Sequence, residues 1–286
     1  MIELKGPWAA QATEPADLYL DLLARLLYAG LYEQVLYPVA ANPRGRKYRV
    51  FEPIRRLLAS RGLVLARSMR IGPETFAKSP PPRIPVAETM VGPRGLQNIR
   101  ECVDNVLDDG VPGDLIEAGV WRGGATVFMR ALLQARGDET RTVWVADSFR
   151  GCPTPAESGH EADVGDETWA RLDWLGVPIE TVKKTFERYG FLDERVRFLA
   201  GWFADTLPAA PIDQLALIRL DADMYGSTMD ALSALYPRLS VGGYVIVDDY
   251  WVPNCRAAVE DYRREHGIHD ELISVDRAIV YWRRSG

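Results

Sequence analysis

Cysteine is scarce in this sequence, and the few cysteines form no metal-binding pattern. The 286 residues include three, Cys102, Cys152 and Cys255, which lie far apart in the chain. No Cys-x-x-Cys pair and no Cys/His group with zinc spacing is present, which excludes a zinc finger and gives no disulfide framework. We therefore expect reduced thiols and a cytoplasmic protein.

An excess of positive charge and long apolar runs are lacking as well. Lys and Arg total 34 against 40 Asp and Glu, which gives a net charge of -6, whereas a general nucleic-acid binder needs clustered Lys and Arg. No apolar run approaches the ~20 residues of a membrane span, and residues 1–7 lack the apolar core of a signal peptide. The expectation is a protein with no nucleic-acid partner and no membrane partner.

The phosphate-binding pattern Gly-x-Gly-x-x-Gly is also absent, although the unit in which it occurs is present. Residues 115–120 are typical of a buried strand, Gly123 and Gly124 of a turn, and residues 125–133 of a helix. The turn instead has the pattern Glu117-x-Gly119-x-x-x-Gly123. A carboxylate at this point would repel a pyrophosphate and would suit a cationic ligand with an amino group, such as S-adenosylmethionine. An ordinary turn without a ligand is the alternative.

Apolar segments and amphipathic segments alternate from residue 95 onward, which predicts an α/β protein with a mostly parallel sheet and helices on both faces. The seven predicted strands are residues 115–120, 142–148, 196–202, 215–221, 243–249, 272–276 and 278–283. The predicted helices are residues 95–109, 125–133, 179–189, 227–239 and 253–266. The last two strands follow each other almost directly, so we expect an antiparallel edge strand.

Residues 1–87 are predicted to form a helical cap, and residues 88–286 the sheet domain. Apolar residues with helical spacing predict one helix over residues 15–39 and a second, Arg-rich helix over residues 50–65. A proline-rich connector is predicted over residues 79–85. Because the first helix is strongly apolar, it could supply a subunit interface, and we expect a homodimer or a higher homo-oligomer.

Acidic residues follow almost every predicted strand. Ligands of doubly wound sheets bind beyond the carboxyl ends of the strands, so these positions are candidate ligand contacts. They are Glu117 and Gly119 after the first strand, Asp147 after the second, Gly201, Trp202 and Asp205 after the third, Asp221 and Asp223 after the fourth, and Asp248 and Asp249 after the fifth. Asp147 can accept hydrogen bonds from both hydroxyls of a ribose, which fits NAD and S-adenosylmethionine equally well.

Three of these carboxylates, those of Asp221, Asp248 and Asp249, follow adjacent strands and should meet at one edge of the cleft. Crowded like charges are unfavourable unless a cation neutralises them, and oxygen ligands suit Mg²⁺ or Mn²⁺. A bound metal would orient a substrate hydroxyl and lower its pKa. Asp223 is then a candidate general base; His160, in a long polar loop, and the metal alone are the alternatives.

Several motifs resemble the macrocin O-methyltransferase (TylF) family, which includes mycinamicin and novobiocin sugar O-methyltransferases. The similar stretches are residues 88–92 (ETMVG), 114–124 (DLIEAGVWRGG), 143–149 (VWVADSF), 201–203 (GWF) with Asp205-Thr206, 219–225 (RLDADMY), 248–250 (DDY) and 280–284 (VYWRR). The family's Met-Asp-Gly-Asp is replaced by Leu220-Asp221-Ala222-Asp223, which keeps both acids. Arg150 stands where the family has Gln.

This resemblance implies a class I methyltransferase fold that uses S-adenosylmethionine and Mg²⁺. It implies that Asp221, Asp248 and Asp249 bind the metal, and that Asp221 and Asp223 act in catalysis, with Asp223 as the candidate base. It places ten residues in the cofactor site: Thr89, Met90, Glu117, Gly119, Trp121, Asp147, Ser148, Gly201, Trp202 and Asp205.

The function predicted from the sequence is therefore a Mg²⁺-dependent O-methyltransferase. Its acceptor would be a small-molecule glycoside, with a deoxysugar hydroxyl of an antibiotic-type natural product as the methylated group. Methylation of a non-sugar hydroxyl, a nicotinamide-dependent oxidoreductase on the same fold, and a binding protein with a dead site are the alternatives. The N-terminal region differs from the family's usual one, so the acceptor itself is not predicted.

Overall fold

The structure, a computed structural model, describes residues 14–38, 46–78 and 82–286. Its helices are α1 (Pro15–Leu27), α2 (Arg46–Ala59), α3 (Pro73–Phe76), α4 (Pro93–Asp108), α5 (Gly124–Ala135), α6 (Pro155–Ser158), α7 (Thr168–Arg171), α8 (Ile179–Tyr189), α9 (Phe203–Thr206), α10 (Tyr225–Leu235) and α11 (Pro253–Glu265). Its strands are β1 (Gln34–Pro38), β2 (Ala66–Arg70), β3 (Asp114–Ala118), β4 (Val143–Asp147), β5 (Val196–Ala200), β6 (Leu215–Leu220), β7 (Leu239–Val247), β8 (Ile273–Ser274) and β9 (Val280–Arg283).

The central sheet has seven strands in the order β5-β4-β3-β6-β7-β9-β8. The first five are parallel, whereas β9 runs antiparallel to both β7 and β8. The predicted α/β fold class, with a mostly parallel sheet and an antiparallel edge, is confirmed. From β3 the chain adds β4 and β5 on one side of the sheet, and from β6 it adds β7 on the other side. The strand order therefore reverses between β3 and β6, and ligands of such sheets bind at that point.

Successive residues of the strands face two separate hydrophobic layers, as the two-residue period of a strand requires. Leu115 of β3 belongs to the layer with α1, α4, α5 and α8, where Phe128 and Phe186 are fully buried. Its neighbour Ile116 belongs to the layer with α10 and α11, where Leu232 and Val259 are fully buried. Both faces of the sheet are therefore covered, and the exposed edge that remains for a ligand is the one at the strand ends.

The predicted N-terminal helix over residues 15–39 is wrong in its second half. Helix α1 ends at Leu27, Ala29 has a left-handed backbone with φ of 64°, and the chain continues into β1. Strand β1 pairs antiparallel with β2, from Gln34 opposite Arg70 to Pro38 opposite Ala66. The apolar residues beyond Leu27 fit a helical spacing, but the hydrogen bonds to a strand about 30 residues further on decide the conformation.

Other boundaries differ by smaller amounts. Helix α2 ends at Ala59 rather than at residue 65. Helix α10 starts at Tyr225 and ends at Leu235, and β7 already begins at Leu239, inside the predicted helix over 227–239. The connector predicted over residues 79–85 lies partly, and the first 13 residues of the predicted cap lie wholly, outside the described residues. The division of the chain at residue 87 stays a prediction.

Helix α1 is joined to the sheet layer by charge as well as by apolar packing. Arg100 of α4 forms ion pairs with Asp17 (2.6 Å) and Asp21 (3.0 Å), and Arg136 pairs with Asp17 (2.7 Å) and Asp104 (2.8 Å). These side chains are only partly exposed, so screening by solvent is reduced.

In the described part of the chain, no helix combines the length and apolarity that crossing a bilayer requires.

Candidate active site

One cavity of about 370 Å³ opens at the carboxyl ends of the parallel strands. Its volume is within the usual range of small-molecule sites. Eleven of the fourteen site residues expected from the sequence line it: Met90, Gly119, Trp121, Asp147, Ser148, Gly201, Trp202, Asp221, Asp223, Asp248 and Asp249. Positions about 160 residues apart in sequence thus meet at one edge of the sheet.

The glycine turn after β3 lines this cavity and contacts the ends of both neighbouring strands, β4 and β6. Gly119 has φ of 89°, and a Cβ there would lie 1.8 Å from the backbone oxygen of Asp221. The turn is also tied to the end of β4, because the N–H of Val120 donates to Asp147 Oδ2 (2.8 Å). Only glycine fits where the turn approaches Asp221, which explains the glycine at position 119.

Asp147 is held in place by backbone donors. Besides Val120, the N–H of Phe149 donates to its Oδ1 (2.7 Å), and the Ser148 hydroxyl closes the turn by donating to the Gly151 carbonyl (2.7 Å). Burial raises the pKa of Asp147, and these N–H groups oppose the rise. Each carboxylate oxygen has a second lone pair, so the oriented carboxylate can still accept hydrogen bonds from a ribose diol.

Backbone strain is concentrated around the cavity. Among the described residues, four non-glycine residues have a left-handed φ, and three of them stand at strand-to-helix turns of this site: Trp121 (47°), Phe149 (57°) and Asp223 (58°). Such a conformation costs on the order of 1–3 kcal/mol for a non-glycine residue, and it persists where the surroundings fix it, commonly at functional sites. Two of these strained residues, Trp121 and Asp223, also line the cavity.

Beneath the cavity lies a buried cluster built on Arg219 of β6. Its Nη1 donates to Glu117 Oε1 and, at 3.1 Å, to Asp221 Oδ2, and its Nη2 forms an ion pair with Asp248 Oδ1 at 2.9 Å. The Thr126 hydroxyl donates to the other oxygen of Glu117. Burial raises the pKa of Glu117 to about 7, and the charge of Arg219 opposes that rise.

The three predicted metal ligands do come together. One carboxylate oxygen from each of Asp221, Asp248 and Asp249 lies within 4.8 Å of the other two. Burial raises the pKa of Asp248 to about 7 and that of Asp249 well above its ordinary value, and the neighbouring carboxylates add to both shifts. Three ionised carboxylates this close together repel one another, and a small divalent cation bound between their oxygens would relieve the repulsion.

Asp223 stands beside this trio and is held by two contacts. Its N–H donates to Asp249 Oδ2 (3.1 Å), and the Cys152 thiol lies 3.7 Å from its Oδ2. Burial, and then the charge of Asp221, raise its pKa to about 7. His160, the alternative base, does not line the cavity; its Nε2 lies 3.0 Å from Asp230 Oδ1.

A segment that precedes α4 forms part of the cavity wall. Arg122 donates from Nη1 to the carbonyls of Pro85 (2.7 Å) and Ala87 (2.8 Å), and its guanidinium carbon lies 4.5 Å from the centre of the Trp121 ring. Trp174 contacts Trp121 edge-on at 6.3 Å. Residues 82–91, the turn after β3 and the loop before α8 are thereby joined into one wall.

Three expected cofactor residues do not line the cavity. Glu117 is 1% exposed and bonds Arg219 and Thr126. Thr89 is buried beside Gly124 and accepts a hydrogen bond from the N–H of Val91 (3.0 Å). Asp205 lies exposed in the first turn of α9. Their direct contact with a cofactor stays a prediction.

One protein family matches the chain over almost its whole length. The model of the macrocin-O-methyltransferase (TylF) family matches residues 16–284. The chain belongs to this family. The resemblance carried by the strand-end motifs is thus confirmed, and the protein is an O-methyltransferase whose methyl donor is S-adenosylmethionine. The alternative of a nicotinamide-dependent oxidoreductase does not fit this membership.

Curated relatives of this O-methyltransferase are named for the compounds that they methylate, and one of these compounds carries a rhamnosyl group. Mycinamicin III 3''-O-methyltransferase of Micromonospora griseorubida is 52% identical over 202 residues, which cover 70% of this chain and 80% of the relative. Demethyldecarbamoylnovobiocin O-methyltransferase of Streptomyces niveus is 45% identical over 278 residues, 97% of each chain. An 8-demethyl-8-(2,3-dimethoxy-alpha-L-rhamnosyl)-tetracenomycin-C 4'-O-methyltransferase of Streptomyces olivaceus is 55% identical over 200 residues, 70% of this chain and 77% of that one.

Solved structures agree with the fold of the family. The O-methyltransferase NovP is 45% identical and superimposes with a TM-score of 0.75 over 95% of this chain and 100% of its own. The calicheamicin methyltransferase CalS11 is 19% identical with a TM-score of 0.53 over 96% of this chain and 94% of its own, and supports the fold alone. The class I methyltransferase fold is confirmed.

Sequence reasoning missed several residues of the site. Arg219 was recognised only as part of a motif, although a charged residue inside the fully buried strand Leu-Ala-Leu-Ile-Arg-Leu is itself a signal of a buried ion cluster. Ser158, Ser227 and Asp230 line the cavity without any motif. Their placement depends on where α10 begins and on how a distant loop packs against it.

Proposed function

We propose that this O-methyltransferase is Mg²⁺-dependent and methylates a sugar hydroxyl of a glycosylated natural product in antibiotic biosynthesis. The observation that supports this proposal most is the meeting, in one cavity, of the Asp147 turn with the trio Asp221, Asp248 and Asp249. Such a cavity can hold a nucleoside-type methyl donor and a divalent cation next to each other. The relative that acts on a rhamnosyl compound favours a glycoside as the acceptor.

The cofactor end of the cavity is assigned to the carboxyl ends of β3, β4 and β5. Asp147 would accept hydrogen bonds from the ribose hydroxyls, and Gly119 leaves room for the methionine part at the turn. Ser148, Gly201 and Trp202 line the same end. S-Adenosylmethionine, when bound, supplies a methyl group that is already activated by a sulfonium, so the protein's own task is mainly to hold donor and acceptor in line.

The metal end is assigned to Asp221, Asp248 and Asp249, with Arg219 fixing two of the three. Arg219 bonds Asp221 Oδ2 and pairs with Asp248 Oδ1, which leaves each carboxylate a second oxygen for a metal. A divalent ion, when bound there, supplies charge that favours a deprotonated hydroxyl. Mg²⁺ is one of the hard cations that this all-oxygen donor set suits, and the resemblance to the family favours it over Mn²⁺.

Asp223 is the residue that we assign to proton removal from the acceptor. It lines the cavity beside the metal trio, and its N–H donates to the Asp249 carboxylate. A carboxylate in this position would take the proton of a hydroxyl that a neighbouring cation makes more acidic. His160 lies outside the cavity lining and is engaged with Asp230, so it is the weaker candidate.

The charge of the cavity favours a neutral glycoside over a nucleotide-linked sugar. Among the described residues, four carboxylates outside the metal trio line it (Asp147, Glu157, Asp223 and Asp230) against one cation, Arg83. The Arg83 guanidinium already lies 4.4 Å from the centre of the Trp174 ring. A diphosphate would meet repulsion here, whereas apolar side chains such as Leu172, Leu175 and Trp251 suit an aglycone.

We also propose that the protein works as a homodimer in the cytoplasm. Helix α1 exposes a row of large apolar side chains, Leu18 (53%), Leu22 (52%) and Leu26 (36%), which a second copy of the chain could cover. All three cysteines are free thiols, which fits a reducing compartment.

The acceptor proposal is tested with a panel of three compound types and isotope-labelled S-adenosylmethionine. The glycosides are demethyldecarbamoylnovobiocin and mycinamicin III, and they are compared with their aglycones and with nucleotide diphosphate sugars. Mass spectrometry should detect one added methyl on a glycoside and none on the other two types. Methylation of an aglycone or of a nucleotide sugar alone would contradict the proposal. Asp223→Asn, which keeps the shape of the side chain but removes the proposed base, serves as the inactive control.

A further inference from the structure

Two side chains on the first turns of α10 extend the cavity wall beyond the catalytic acids. Helix α10 starts two residues after Asp223, and its residues Ser227 and Asp230 line the same cavity as Asp223 and Asp249. Residues three apart lie on one face of a helix. This face of α10 therefore continues the wall from Asp223 at the metal end of the cavity, where the acceptor hydroxyl would lie.

The Asp230 carboxylate is oriented by a histidine. His160 Nε2 lies 3.0 Å from Asp230 Oδ1, and because an ionised carboxylate only accepts, the ring nitrogen donates. The two side chains are 23% and 33% exposed. Within residues 14–38, 46–78 and 82–286, His160 is the hydrogen-bond partner that the structure gives to the Asp230 carboxylate, so Oδ2 keeps its capacity for a ligand.

His160 is itself fixed, because the loop that carries it is docked on the start of α10. Asp163 is 0% exposed and accepts from the N–H groups of Tyr225 (3.2 Å) and Gly226 (3.0 Å), and the Ser158 hydroxyl donates to it. A Cβ at Gly226 would lie 2.6 Å from both Asp163 Oδ2 and His160 Cδ2. This close fit holds the histidine, and through it the Asp230 carboxylate, in one position.

We propose that Asp230, oriented by His160, is a specificity-determining residue that accepts a hydrogen bond from a second hydroxyl of the acceptor sugar. This hydroxyl is distinct from the one that is methylated, and the inference rests on the proposed function. A carboxylate can only accept, so the position requires a donor, and an ether or a deoxy carbon there leaves it unpaired. Sites built to bond a substrate hydroxyl reject the analogue that lacks it strongly.

The experiment combines variants with deoxygenated acceptors. The probes are demethyldecarbamoylnovobiocin and analogues in which one sugar hydroxyl at a time is replaced by hydrogen. Their affinity is measured calorimetrically in the presence of S-adenosylhomocysteine, and KM and kcat are measured with S-adenosylmethionine. Asp230→Ala removes the acceptor atom, His160→Ala removes its orientation, and Glu161→Ala, on the exposed surface of the same loop, is the matched control.

For the wild type, we expect one deoxy analogue to bind about 10- to 100-fold more weakly than the parent glycoside, as for loss of a charge-assisted hydrogen bond. In Asp230→Ala the KM for the parent glycoside should rise by a similar factor, and that one analogue should bind as well as the parent does. In His160→Ala the difference in affinity between the parent and that analogue should be smaller than in the wild type but still present. Affinity for S-adenosylhomocysteine should stay unchanged in all variants, which a general structural effect would not give.

The inference is overturned if Asp230→Ala keeps the wild-type penalty for every deoxy analogue, or if its affinity for S-adenosylhomocysteine falls with that for the glycoside. A wild type that binds no glycoside, while it binds S-adenosylhomocysteine, contradicts the proposed function instead and removes the basis of this inference with it. The two failures are therefore distinguishable by the wild-type titration alone.

Discussion

Glu117 and Arg219 lie opposite each other on the adjacent strands β3 and β6, and both side chains are 1% exposed. Through the same guanidinium Arg219 also contacts Asp221 and Asp248, so one buried cation serves three carboxylates. The cluster neutralises part of the negative charge at the strand ends before any ligand is present. It also joins the turn after β3 to the carboxylates that we assign to a metal.

Replacing Arg219 by Met should lower the free energy of unfolding by about 3–5 kcal/mol, because buried carboxylates lose their counter-charge. Urea denaturation monitored by tryptophan fluorescence measures this change. Arg197→Met, at an exposed position of β5, is the control and should change stability by under about 0.5 kcal/mol. Equal effects of the two substitutions would show that Arg219 is not the centre of the cluster.

Stability without metal should fall as the pH rises from about 4 to about 7. The pKa values of Asp223 and Asp248 are raised to about 7 from an ordinary 3.8 by burial and by neighbouring acids. In that pH window the folded state binds more protons than the unfolded state. The stability that the two carboxyl groups contribute is therefore complete below their pKa in the unfolded state, and it is lost as the pH rises to their pKa in the folded state.

The measurement is thermal unfolding at about pH 5 and about pH 8, with and without Mg²⁺, for the wild type and Asp248→Asn. Because Mg²⁺ binds the charged carboxylates, its stabilising effect should be larger at the higher pH. Asp248→Asn lacks one of the titrating groups and should lose less stability over the range. A wild type and a variant with the same pH dependence would contradict the assignment.

Asp147→Ala should weaken the binding of S-adenosylhomocysteine by about 10- to 100-fold, since the carboxylate would no longer accept hydrogen bonds from the ribose. Isothermal titration calorimetry measures the affinity. Asp213→Ala, at an exposed position before β6, is the control and should bind as the wild type does. Unchanged affinity in Asp147→Ala would move the ribose site elsewhere in the cavity.

Leu22→Glu should convert a dimer into a monomer, because the introduced charge would have to be buried in the interface that we assign to α1. Sedimentation equilibrium should show the dimer dissociation constant raised by at least about 100-fold. Val241→Glu, at a 60% exposed position at the start of β7, should leave the association unchanged. A wild type that sediments as a monomer at all concentrations would refute the interface.

The sheet and its ligand edge could be predicted from the sequence because they depend on local signals. Short apolar segments predict strands, and residues that follow parallel strands must share an edge, which brings Asp147, Asp221 and Asp248 together without further information. Long-range pairing has no such signal. The residues of β1 fit a helical spacing, and only their hydrogen bonds to β2 decide otherwise.

The same limit applied to the candidate site. Asp230 is an ordinary polar residue of an amphipathic helix, and its place in the cavity depends on the docking of Asp163 onto α10 from 62 residues away. No sequence pattern indicates that Glu117 turns towards Arg219 rather than lining the cavity. Both facts follow from side-chain pairing across the fold.

The need for a metal is tested most directly by the rate of methyl transfer to demethyldecarbamoylnovobiocin as a function of Mg²⁺ concentration, after removal of metal with a chelator. We predict that the metal-free wild type is slower by at least about 100-fold, that Mg²⁺ restores it, and that Asp248→Asn stays slow at every concentration. A metal-free wild type that transfers the methyl group at the full rate, together with an unimpaired Asp248→Asn, would show that the aspartate trio does not work by holding a metal.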